Sequence, residues 1–74
     1  MFKGKSPTSW GEKDQLSKDL RASIAEEQTA IATYNRRRQD ARNFPKIADL
    51  YVHIAREEEH HRLELQSMLD DFEK

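Results

Sequence analysis

From Glu12 to Lys74 the chain contains no glycine and a single proline, Pro45, and this near absence of backbone punctuation limits the folds open to it. Glycine and proline are the residues that most readily end helices and make turns. A stretch without them, rich in Ala, Leu, Glu, Lys, Arg and Gln, favours long helices. The exception is Asn43-Phe44-Pro45, where proline cannot continue a helix interior but suits the first turn of a new one. The sequence therefore predicts two long helices joined by one tight break, an all-α hairpin. The first is expected over about 10–42, opening on the S-x-x-E capping spacing of Ser9 and Glu12. Arg36, Arg37, Arg38 and Arg42 stand where positive charge offsets the negative end of its dipole. The second is expected over about 45–72. Residues 1–8, with Gly4 and Pro7 and no periodicity, read as a flexible N-terminal arm ahead of one helical domain over 9–74. Trp10 is placed to staple the helix start or to contact a neighbouring subunit.

A hairpin of 74 residues with 35% apolar and 36% charged residues has little with which to fill a core, so partner copies are expected. No apolar run approaches the ~20 residues of a membrane helix, and the first residues lack a signal-like apolar stretch. The expectation is a soluble, cytoplasmic protein with no membrane partner. A net charge of −1, with Asp40, Glu26 and Glu27 near the arginine run, argues against nucleic acid. With no cysteine, any metal must be held by Glu, Asp and His.

Apolar spacing, read at about 100° per residue, draws a stripe on each helix. On the second it runs Ile47, Tyr51, Ile54, Leu65, Met68, Phe72 in alternating steps of four and three, and the same series lands on Glu58 and His61 in its two gaps. On the first it runs Leu16, Leu20, Ile24, Ile31, Tyr34, and the gap between Ile24 and Ile31 lands on Glu27. A charged carboxylate on a packing seam is costly unless it is paired or bound to a cation. Glu58 and His61 form E-x-x-H, and residues three apart on a helix can converge on one ion. The overlapping pair, Glu57 and His60, points roughly 80° and about 140° off the seam. Counted from a turn at 43–44, Glu27 and Glu58 stand at heights of about 24 and 21 Å, nearly level. Two carboxylates and one imidazole suit iron or manganese but are too few to close a site. Two hairpins face to face supply four Glu and two His, the ligand pattern of di-iron four-helix bundles, and four carboxylates balance two divalent ions. The fold expected is thus a hairpin that dimerises into a four-helix bundle, each chain holding half a site. The competing reading is a structural oligomer in which the same three groups form a buried network that fixes register. His53 and His60 read as solvated, and Tyr51 as a core aromatic.

EEQTAIATY, the Pro45 break and IAREEEHHRLEL together resemble the ferritin-like di-iron superfamily over roughly residues 20 to 70, in the half-length form called encapsulated ferritin. The di-iron domain of rubrerythrin is similar in its E-x-Q/T-A-x-x-x-Y and E-x-x-H parts. The resemblance implies that Glu58 bridges two irons, that Glu27 and His61 are terminal ligands, that Tyr34 stands just outside them, and that Glu26 belongs to an iron-uptake site. It implies ferroxidase activity in support of iron storage or detoxification, with Fe as the metal and Mn or Zn also accepted by these ligands. It also implies dimers built into larger rings that work inside an encapsulin shell. Two features depart from the family: Thr29 stands where a further acidic residue is usual, and the sequence stops at Phe72-Glu73-Lys74, short of the targeting extension of cargo members. Rival expectations are a rubrerythrin-like protein reducing peroxide or O2 at a di-iron or di-manganese site, and a ferritin-like segment of a longer, shell-fused chain.

Overall fold

In a computed structural model, which describes residues 8–74, the chain is two helices, α1 (Thr8–Asp40) and α2 (Pro45–Phe72), and no strand occurs among the described residues. α1 starts at Thr8 and ends at Asp40, each about two residues before the expected boundary, while α2 matches the range expected for it. Ser9 lies inside α1 rather than at its edge. The expected arm, the Ser9–Glu12 cap and the Trp10 staple fall outside the described residues and side chains.

Reversal of the chain takes four residues, Ala41 to Phe44. The Ala41 amide still donates to the Arg37 carbonyl, 3.0 Å, and the Phe44 amide closes the turn onto the Ala41 carbonyl, 2.8 Å. Ile47 and Ala48 then donate to the Phe44 carbonyl at 3.0 and 2.9 Å, so Pro45 occupies the first turn of α2, where its missing amide hydrogen costs nothing. Arg42 therefore sits in the turn, two residues beyond the end of α1. Arg37 and Arg38 occupy the last turn of α1, against its dipole. At the far end a bidentate Arg21–Glu73 pair, 2.6 Å to each oxygen, ties α1 to the end of α2.

The hairpin measures 59 × 23 × 13 Å, two helices wide and one helix thick. Such a plank has a contact line rather than a core. Only Ile24, Ala41, Ala55 and Leu69 are buried among the described residues, and no polar or charged residue is. Ala55 and Leu69 belong to the 4-3 series Ala48, Val52, Ala55, Glu59, Arg62, Gln66, Leu69, one residue behind the stripe read from the sequence and so rotated about 100° from it. That stripe lies at the rim of the contact: Tyr51, Ile54, Leu65 and Phe72 are half-buried, whereas Ile47 and Met68 are 47% and 57% exposed. One neighbouring helix covers only one side of an apolar arc, and here the other side has no cover. Leu16, 49% exposed, extends the uncovered surface onto α1.

Candidate metal centre

Glu27 projects from the middle of α1, and Glu58 and His61 project from the middle of α2. His61 Nδ1 lies 3.1 Å from Glu58 Oε1 and 3.8 Å from Glu27 Oε2, and one donor atom from each residue lies within 4.8 Å of the other two. Three residues chosen as gaps in two apolar stripes therefore meet at one height across the hairpin. The two carboxylates are mostly sheltered, 22% and 24% exposed, while the imidazole is 53% exposed. Leu20, Leu65, Met68 and Glu64 complete the groove in which Glu27 and His61 sit, on the uncovered apolar side of the plank.

Electrostatics of the cluster favour a cation. Glu27 holds its proton more tightly than an ordinary glutamate, first because burial penalises its charge and then because the Glu58 carboxylate stands beside it; Glu26 adds to this and His61 opposes it. Two carboxylates and an imidazole form an O, O, N donor set suited to iron, manganese or zinc. Ligands about 2.1 Å from a common ion lie ~3–4 Å from each other, so the observed spacing needs only small side-chain rotations to close on one. Three donors fill half or less of an octahedral shell. The residues present fit half of a di-iron centre.

Other residues singled out from the sequence are placed elsewhere. Glu26 is exposed and stands outside the three-residue cluster, affecting it through charge alone. Tyr34 packs on Tyr51, ring centroids 6.0 Å apart and planes inclined by 31°, with the Arg37 guanidinium 5.5 Å above its ring. Among the described residues Tyr34 makes no hydrogen bond to Glu27, Glu58 or His61. Glu57 and His60 do not converge on one another: His53 pairs with Glu57 at 3.5 Å and His60 with Glu64 at 3.7 Å, all well exposed.

One pair went unnoticed in the sequence. Arg62 donates from Nε and Nη2 to both oxygens of Glu59, and this contact holds the Glu59 carboxyl below the usual range and raises the guanidinium. Both residues lie on the 55–62–69 line facing α1, and the only advance signal was their place in a second 4-3 series dominated by Ala, Val and Leu.

The rubrerythrin family model matches residues 18–74, a span that contains all three clustered residues. No curated protein and no solved structure matches the chain significantly. No helix among the described residues is long and apolar enough to cross a membrane.

Proposed function

The chain belongs to the rubrerythrin family, whose domain implies a di-iron site within the ferritin-like superfamily, and on that premise we propose that it is a ferroxidase of the encapsulated-ferritin kind. Its substrate is Fe(II), its oxidant O2 or peroxide, and its role iron storage or detoxification. The observation that carries this reading is the convergence of Glu27, Glu58 and His61 on the side of the hairpin that has apolar surface and no cover. A second copy laid on that side completes the ligand set and buries Ile47, Met68 and Leu16 in the same step. Larger rings, and residence inside an encapsulin shell, belong to the same proposal.

Two Fe(II) ions give up two electrons, which with two protons reduce O2 to hydrogen peroxide, or peroxide to two waters. The protein's part is to hold and neutralise. Glu27, Glu58 and His61 would hold the iron, with the Glu58 carboxylate as the bridging ligand and Glu27 and His61 as terminal ones. Glu27 must lose its proton to bind, so its raised affinity for protons makes iron and protons compete at that oxygen. In the metal-free protein His61 Nδ1 lies 3.1 Å from Glu58 Oε1, and that contact orients the ring toward the carboxylates. Tyr34 and Tyr51, two helical turns away, pack the approach on the turn side.

Air added to an anaerobic Fe(II) complex should give rapid Fe(III) absorbance at about one iron per chain. Glu58→Ala and His61→Ala should abolish it. Unchanged oxidation in both variants would remove this site from the reaction. Family membership also favours a second reading, a rubrerythrin-like reductase of peroxide or O2 at a di-iron or di-manganese centre. Such a protein would consume peroxide over many turnovers when given an electron donor, and would build no ferric mineral.

A further inference from the structure

A groove along the helix contact is lined by Ile31, Asn35, Arg38, Val52, Arg56 and Glu59, none of them a member of the Glu27–Glu58–His61 cluster. At about 100° per residue, Arg56 and Glu59 lie about 140 to 160° around α2 from His61, and although Arg56 also borders a shallow pocket beside His61, the groove shares no residue with the three-residue cluster. Within it the Arg38 Nε–H is buried, and no acceptor among the described residues reaches it. A buried donor left unmade is costly, and such groups in folded proteins nearly always have a partner. Glu59, the one carboxylate lining the groove, is held through both oxygens by Arg62 and makes no hydrogen bond to Arg38 Nε.

The charge around that orphaned donor has a definite sign. Arg38 and Arg56 line the groove, Arg62 sits behind Glu59, and three guanidinium groups against one carboxylate leave an excess of two positive charges. Guanidinium groups present planar pairs of N–H donors that match the oxygens of phosphate and carboxylate. The Asn35 amide offers a neutral donor beside them, and Ile31, Val52 and Ala55 supply a low-dielectric floor that strengthens each contact. We infer that this groove binds a doubly charged oxyanion of the phosphate class, which takes the Arg38 Nε–H and bridges Arg38 to Arg56. The site is independent of iron.

The test uses the full chain, stripped of metal with a chelator and dialysed, titrated with inorganic phosphate at fixed ionic strength and followed by calorimetry. Saturable binding of one phosphate per chain is expected. Arg38→Lys keeps the charge but removes the Nε donor, and should weaken binding at least tenfold. Arg56→Gln, at an exposed position, should weaken it at least fivefold, and decides the matter if Arg38→Lys lowers helix content. Arg36→Gln, whose native side chain pairs with Asp40 outside the groove, should bind as the wild type does. Absence of saturable binding, equal binding of acetate, or equal losses in all three variants would overturn the assignment.

Discussion

Metal should act on this protein as a structural clamp as well as a substrate. If two copies share two ions, each ion at a hundred times its dissociation constant adds about 2.7 kcal/mol to the stability of the pair, or ~5.4 kcal/mol for both. Two chains of 74 residues unfold with an entropy of about 0.31 kcal/mol per kelvin, taking ~2.1 cal/mol/K per residue. The melting temperature of the dimer should therefore rise by about 17 °C when anaerobic Fe(II) is added, at fixed protein concentration. Glu58→Gln keeps the shape of the residue and an acceptor for His61 but removes the charge proposed to bridge the ions. A hundredfold loss of affinity would leave the same iron at its dissociation constant, worth ~0.4 kcal/mol per ion and a shift of ~3 °C. Without metal the variant should melt no lower than the wild type, because the charge it removes stands against Glu27. Circular dichroism melts with and without chelator make the measurement. Equal iron-induced shifts in the two proteins, or a variant that melts well below the wild type in chelator, would refute the reasoning, the second by showing that the trio is a stabilising network.

Removal of a proton from Glu27 opposes folding and favours metal. As pH rises from the ordinary glutamate value of 4.5 through its raised value, the metal-free protein should lose stability and iron affinity should climb, which denaturant titrations and metal competition at several pH values will read. Ile47→Glu, placed on the uncovered face about 16 Å along α2 from Glu58, should turn the oligomer into helical monomers and lower iron oxidation at least tenfold, as seen by sedimentation and Fe(III) absorbance. Leu69, the most buried of the described residues at 4% exposure, should cost about 2–4 kcal/mol when cut to alanine, measured by urea unfolding. Arg21→Ala breaks a pair that is 60% and 36% exposed and should cost under about 1 kcal/mol in the same assay.

The hairpin was legible because one proline in a glycine-free stretch leaves few alternatives, and α2 begins on that proline. The end of α1 was less so. Helix propensity runs on through Ala41 and Arg42, but the chain must reverse before Pro45, and the geometry of that reversal takes Ala41–Asn43 out of the helix. The three clustered residues were legible as polar gaps in apolar series, a signal that depends only on helix period and length from the turn. The face of α2 that meets α1 was not. Its series contains Glu59, Arg62 and Gln66, which look like a solvated face until Arg62 and Glu59 are seen to satisfy one another beside Ala55 and Leu69. The apolar stripe that stood out instead is split between the contact with α1 and surface with no cover. A stripe wider than one neighbour can bury is what a helix packed by two neighbours requires.

Mass and metal content taken together on one sample test the central claim most directly. Native mass spectrometry of the iron-loaded protein should give even multiples of the 8.7 kDa chain carrying one iron per chain, and Glu58→Ala should carry none. Monomers that retain iron, or dimers that bind none after loading, would contradict a centre built half from each copy.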